Sequence, residues 1–154
     1  MSSEGAPVIE PTPAPGLKIA VVAGQWHEQI AEGLLAGALG YLNKTDAEVS
    51  VLRVPGSFEL PLACQQVLSR GADAAVALGV IIRGGTPHFE YVATAATNGL
   101  TQVALETGKP VGFGVLTIDD EAQGLDRAGL EGSREDKGAE AADAAVRLAL
   151  SLRG

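Results

Sequence analysis

A glycine turn between a strand-like run and a helix start carries the clearest chemical potential in this sequence. Residues 77–82 are continuously apolar, which is typical of a strand buried on both faces. The glycine pair at 84–85 lets the backbone turn sharply, while Thr86 suits a helix N-cap and Pro87 the first helical position. Because a helix N-terminus offers unpaired N–H groups and partial positive charge, this turn predicts an anion site with His88 beside it.

Two more conservative interpretations of this turn stay open. The segment 79–86 is not a nucleotide-binding P-loop, because Gly85 stands where that motif requires lysine. The glycine pair could serve only to join a strand to a helix. A single histidine such as His88 is more often a hydrogen-bonded structural residue than a catalyst.

Two other strand ends place chemically useful side chains. Trp26, the one tryptophan, follows the first strand and could stack on a planar heterocycle, or merely plug the end of the sheet. Ser57, Phe58 and Glu59 follow a Pro-Gly turn after the second strand. Ser57 is a candidate N-cap. Glu59 could accept hydrogen bonds from a polyol, or only favour the helix dipole.

Composition limits the class of protein. A chain of 154 residues is long enough for one domain with its own core. Hydrophobic residues make up 46% and aromatic residues 4%, with a mean hydropathy of +0.19. This surplus of small apolar side chains either packs helices closely against a sheet or is buried between subunits, and an oligomer is expected. The net charge of −8 argues against nucleic acid and anionic membranes as partners.

Cysteine and histidine usage predicts neither a disulfide nor a metal site. Cys64 is the single cysteine, and the two histidines form no metal-binding cluster with it. No apolar run reaches membrane length, and the first residues do not form a signal peptide. The cytosol is therefore the expected location.

The predicted elements alternate between strand and helix along most of the chain. Residues 1–16 are rich in proline and predict an extended arm, followed by a single domain at 17–154. Strands are predicted at 18–23, 48–54, 74–82 and 111–116. Helices are predicted at 28–42, 58–70, 87–107 and 136–152, and a further helix follows Thr117 and ends near Gly129. This alternation predicts a flavodoxin-like α/β fold, a three-layer sandwich with a four-stranded parallel sheet. Ligands of such sheets bind beyond the carboxyl ends of the strands.

Several motifs in this order resemble the 6,7-dimethyl-8-ribityllumazine synthase family. They lie at residues 54–61, 79–92, 114–117, 126–129 and 136–138, and the resemblance covers residues 16–152. It implies a transferase of riboflavin biosynthesis that needs no metal or organic cofactor. The implied reaction condenses 5-amino-6-ribitylaminouracil with 3,4-dihydroxy-2-butanone 4-phosphate, and releases phosphate. Implied partners are these small molecules, further copies of the chain, and riboflavin synthase as a candidate protein partner.

The resemblance assigns one group of residues to the pyrimidine and its ribityl chain. Trp26 takes the stacking position where the family usually has Phe, and the neighbouring His27 replaces the commoner Asn. Glu59 would accept hydrogen bonds from ribityl hydroxyls. The other positions implied to contact this substrate are Ser57, Phe58, Ile81 and Ile82.

Further assignments concern the phosphate, the proton transfers and a neighbouring subunit. Gly85 and Thr86 match the phosphate site, and His88 matches the proposed proton-transfer residue. The resemblance also implies three residues supplied by an adjacent subunit. Phe113 would place its ring against the substrate, Arg127 would bind the phosphate, and Lys137 would place a cation near the pyrimidinedione.

The same resemblance predicts an oligomer and leaves its size open. The family forms ring pentamers, and some members assemble twelve rings into a shell of sixty. A free pentamer is favoured here because residues 130–136 make a longer connection than in shell-forming members. The arm is expected to add a strand to a neighbour through Val8 and Ile9. Alternatives are a flavin- or lumazine-binding module, a shell protein without the site, and a second-copy enzyme with an altered substrate.

Overall fold

A four-stranded parallel sheet lies at the centre of the chain. The computed structural model describes residues 5–153, so the first four residues of the predicted arm and Gly154 lie outside the described residues. The strands, in the spatial order β2-β1-β3-β4, are β1 Lys18–Gly24, β2 Glu48–Val54, β3 Ala74–Ile82 and β4 Val111–Ile118. The helices are α1 Glu28–Leu42, α2 Leu60–Ser69, α3 His88–Thr107, α4 Glu121–Arg127 and α5 Lys137–Leu152, and a 3-10 turn spans Ser57–Glu59.

Helices cover both faces of this sheet. Alternate β3 side chains enter two separate cores: Val76 packs with buried residues of α1 and α5, whereas Ala77 packs with those of α2 and α3. Two covered faces explain why β3 is apolar throughout. The predicted three-layer α/β sandwich of flavodoxin-like type is confirmed.

Element ends differ from the sequence-based bounds by a few residues. The stretch predicted as one helix at 58–70 is a 3-10 turn followed by α2, because Pro61 sits in the first turn of α2 and lacks the N–H needed inside a helix. The fourth strand extends to Ile118, two residues beyond the prediction.

The described part of the arm is partly anchored to its own subunit. Residues 6–14 form neither helix nor strand. Ile9 packs against the α1/α5 core, while Val8 is 86% exposed. The N–H of the buried Ala14 donates to the carbonyl of Thr45 at 2.6 Å. Within residues 5–153, no helix has both the length and the apolar character needed to span a bilayer.

Close packing of α1 on α5 depends on Gly138. A Cβ at that position would overlap the backbone carbonyl of Leu34, which cannot move without shifting α1. Gly138→Ala should therefore lower the free energy of unfolding by about 3 kcal/mol, the upper part of the usual range for overpacking. Thermal or urea unfolding measures this change.

A matched control lies in the same pair of helices. Gly40 is in α1, exposed, and a Cβ there would meet no atom within 4 Å. Gly40→Ala should stabilise the protein by about 0.5 kcal/mol through helix propensity. Similar stability changes for both variants would contradict the packing argument.

Candidate active site

One cleft at the carboxyl ends of β1, β2 and β3 gathers most of the predicted site residues. Its volume is about 630 Å³, within the range of small-molecule sites. The predicted residues that line it are Trp26, Ser57, Phe58, Glu59, Ile81, Ile82 and His88. Residues far apart in sequence meet here because the parallel strands end at one edge of the sheet.

Trp26 presents an accessible ring to this cleft. Its indole is 67% exposed, so it does not act as a buried plug for the sheet. A Cβ on Gly56 would lie 2.8 Å from the indole Cδ1, so glycine at 56 allows the ring to approach the turn after β2. The ring is therefore held on one side and open to stacking on the other.

His27 has a left-handed backbone at the start of α1. Its φ of 58° and ψ of 66° are uncommon for a residue with a Cβ, and its side chain makes no capping hydrogen bond. Asparagine, the residue implied by the resemblance, tolerates this conformation well. His27 also lines the cleft next to Trp26, with ring centroids 6.3 Å apart.

In the turn after β2, the side chains of Ser57 and Glu59 differ in their hydrogen bonding. Oε1 of Glu59 accepts a hydrogen bond from the N–H of Gly56 at 2.8 Å, so this carboxylate already stabilises the turn. Ser57 was predicted as an N-cap, and this was wrong, since its Oγ is buried without a hydrogen-bond partner among residues 5–153. The hydroxyl instead packs over Gly79 of β3, where a Cβ would overlap it.

Glu59→Gln separates the two functions of this carboxylate. The amide oxygen can still accept from Gly56, so the melting temperature should stay near that of the wild type. Hydrogen bonds to a charged acceptor are worth about 1.5–3 kcal/mol, so loss of the charge should raise KM for a polyol substrate about tenfold. An unchanged KM for that polyol substrate would leave Glu59 with a structural function only.

The predicted anion site lies at the start of α3. The helix begins at His88, one residue after Pro87, which takes the N-cap position instead of the predicted first helical position. Oγ1 of Thr86 accepts a hydrogen bond from the N–H of His88 at 3.4 Å, but Thr86 precedes the N-cap Pro87, so the prediction of Thr86 as the cap was wrong. The segment 84–86 therefore exposes its backbone directly before an N-terminus, as an anion site requires.

Arg83 stabilises this turn through two contacts that the sequence did not predict. Its Nε donates to Oδ1 of Asp119 at 2.9 Å, and its guanidinium lies 4.6 Å from the centroid of the Phe89 ring. The guanidinium of Arg83 lowers the pKa of the Asp119 carboxyl. Arg83 and Asp119 follow neighbouring strands, so adjacency in the sheet was the available signal.

The remaining predicted site residues lie elsewhere. Phe113, Arg127 and Lys137 line a second cavity of about 390 Å³ bordered by β4, α4 and α5. Among the described residues, the two cavities share no lining residue. One chain therefore brings most of the predicted residues together in two separate cavities, while Gly85 and Thr86 line neither.

Carboxylates surround the cations of the second cavity. Nζ of Lys137 lies 3.0 Å from Oε1 of Glu135 and 3.1 Å from Oε1 of Glu140. Burial alone lowers the pKa of Lys137, but the two carboxylates outweigh it and raise the pKa above its usual value. Lys137 therefore remains charged at neutral pH. Arg127 Nε lies 3.6 Å from Oε2 of Glu135.

Comparison with known proteins identifies the family. Residues 16–153 match the sequence model of 6,7-dimethyl-8-ribityllumazine synthase. The chain belongs to this family. The lumazine synthase of Leifsonia xyli subsp. xyli is 67% identical over 99% of this chain and 98% of its own length. Those of Clavibacter michiganensis subsp. michiganensis and Streptomyces coelicolor are 63% and 56% identical, each over 99% of this chain and at least 96% of their own.

Membership in the lumazine synthase family confirms the resemblance predicted from the motifs. The expected class, a transferase of riboflavin biosynthesis, is confirmed with it. The individual site positions and their functions stay predictions. Glu135 and Glu140 were not among them, although both lie within three residues of Lys137.

Proposed function

We propose that this protein condenses 5-amino-6-ribitylaminouracil with 3,4-dihydroxy-2-butanone 4-phosphate to give 6,7-dimethyl-8-ribityllumazine. The observation that carries the proposal is the single cleft that joins an exposed indole, a carboxylate and a histidine beside a helix N-terminus. These groups suit a planar ring, a polyol chain, a proton transfer and a phosphate respectively. Family membership supports the same reaction.

The reaction needs proton transfers but little other chemical assistance. The substrate amine attacks the ketone, and loss of water gives an imine. Phosphate then leaves by elimination, and ring closure releases a second water. His88 is the proposed proton-transfer residue, since imidazole can accept and donate a proton near neutral pH. Holding two reactants in one cleft supplies a large part of the rate enhancement.

A complete site requires a second copy of the chain. Arg127 is suited to bind the substrate phosphate because guanidinium can form two parallel hydrogen bonds to it. It lies in the second cavity with Phe113 and Lys137. In the proposed assembly, the second cavity of one subunit completes the first cleft of its neighbour. A head-to-tail contact of this kind forms a ring when its rotation closes, and we propose that it does so here.

Surface features of the single chain support this assembly. Only Ala96, Leu100 and Val103 are buried among the 20 residues of α3. Large apolar side chains stay exposed near this helix and on the edge strands; they include Leu62, Tyr91, Leu105, Phe113, Val51 and Leu52. We propose a homopentamer, with the arm of one subunit pairing with the β2 edge of the next. The sixty-subunit shell is the alternative.

Light scattering coupled to size-exclusion chromatography tests the assembly. The expected mass is that of five chains of 15.7 kDa each. A mass near sixty chains would replace the pentamer by the shell. An active monomer would reject the shared site. The cytosol, riboflavin synthase as a partner, and the boundary between arm and domain at residue 16 also stay proposals.

An assay of the purified protein tests the reaction. Both substrates are mixed with the enzyme, and lumazine absorbance and inorganic phosphate are followed together. The proposal predicts equal amounts of the two products, at a rate that a chelator leaves unchanged. Ribityl-substrate binding without phosphate release would instead indicate a lumazine- or flavin-binding module.

A further inference from the structure

The connection between α4 and α5 folds back on itself and brings two cations together. The N–H of Glu135 donates to the carbonyl of Asp126 at 3.0 Å, and the N–H of Gly129 donates to the carbonyl of Glu135 at 3.0 Å. Ala128 and Asp136 form an antiparallel bridge. This closure places Arg127 and Lys137, ten residues apart in sequence, at the lining of the same cavity.

The carboxylate of Glu135 lies between these two cations. Its Oε1 is 3.0 Å from Nζ of Lys137, and its Oε2 is 3.6 Å from Nε of Arg127. The side chain of Glu135 is 9% exposed and that of Lys137 is 10% exposed. Oε1 is buried and receives no well-aligned hydrogen bond from residues 5–153. A buried carboxylate of this kind depends on neighbouring cations, and it fixes them in turn.

The remaining contacts leave donors free to face a ligand. An ammonium has three N–H donors, and one of those of Lys137 donates to Oε1 of Glu140, while Glu135 contributes an ion pair. Nη1 of Arg127 donates to the carbonyl of Gln123 at 2.9 Å, and its Nε faces Glu135. Each cation therefore contacts groups of its own subunit and keeps at least one N–H that can donate to a further acceptor.

We propose that Glu135 is a positioning residue, which orients Arg127 and Lys137 toward the phosphate and the pyrimidinedione bound in the neighbouring subunit's cleft. This proposal rests on the proposed function. Glu135 touches neither substrate and acts through the two cations. A competing view is that Glu135 only reduces the positive charge of the cavity. The two views predict opposite effects on the binding of an anion.

Glu135→Gln distinguishes these views by steady-state kinetics of the assembled protein. The substitution keeps the side-chain length and both backbone hydrogen bonds, but removes the charge. If Glu135 positions Arg127, KM for the butanone phosphate should rise about tenfold, because charge-assisted contacts are lost. If it only screens charge, KM should fall, and this would overturn the proposal. Glu131→Gln, in the same connection but exposed, is the matched control and should behave as wild type.

A double variant tests whether Glu135 acts through Arg127. In the Arg127→Ala background, Glu135→Gln should raise KM less than twofold further, because residues in one network are not additive. Full additivity of the two KM effects would overturn the proposal. A smaller oligomer mass or a lower melting temperature of Glu135→Gln would also overturn it, because the function of Glu135 would then be structural. If the wild type turns over normally and Glu135→Gln has the same KM, only this inference is rejected. Absence of wild-type turnover rejects the proposed function and the inference together.

Discussion

His88→Ala should lower kcat by about 10²-fold, the lower end of the 10²- to 10⁴-fold range for general acid–base catalysis, and change KM little. The lower end is expected because the substrate amine is itself a good nucleophile and positioning supplies much of the rate. His88 lines the cleft at the first turn of α3, where it can reach a ligand held at that N-terminus. Steady-state kinetics with both substrates measure the change.

Arg127→Ala should show the opposite pattern. In the proposed site the Arg127 guanidinium binds the phosphate from substrate binding onward, so its loss should mainly raise KM for the butanone phosphate. His27→Asn is a suitable control for His88, since it alters a histidine of the same cleft while keeping a residue that tolerates the left-handed backbone. If Arg127→Ala mainly lowered kcat and His88→Ala mainly raised KM, then proton transfer would belong to Arg127 and phosphate binding to His88.

Local patterns were sufficient to predict the fold and the first cleft. The apolar run of β3, the glycines after it and the proline before α3 each favour one local structure, and they agree with one another. The rule that ligands bind at the carboxyl ends of parallel strands then selected the turns that line the cleft. For this reason Trp26, Glu59 and His88 could be predicted to meet.

Contacts between distant side chains could not be predicted in the same way. The bond from Gly56 N–H to Glu59, and the pairing of Arg83 with Asp119, depend on side-chain rotamers and on strand order. The position of Glu135 between Arg127 and Lys137 depends on how residues 128–136 close. Sequence spacing alone does not specify that closure, because loops follow no regular period.

Assembly of two defective variants should restore activity that neither has alone. His88→Ala damages the first cleft, and Arg127→Ala damages the second cavity. If the two variants are unfolded together and refolded as mixed rings, about one quarter of the contacts will pair an intact cleft with an intact cavity. At low butanone phosphate, the mixture should therefore show about a quarter of the wild-type rate.

The matched control places both defects in the same half of the site. Glu59→Ala and His88→Ala both damage the first cleft, so no contact in their mixed ring would be intact.

Activity of the His88→Ala and Arg127→Ala mixture after joint refolding is the most direct measurement of a site shared between subunits. Recovery to about a quarter of the wild-type rate, with none in the Glu59→Ala and His88→Ala control, is the expected result. No recovery in the first mixture, with rings of normal mass, would show that each chain completes its own site.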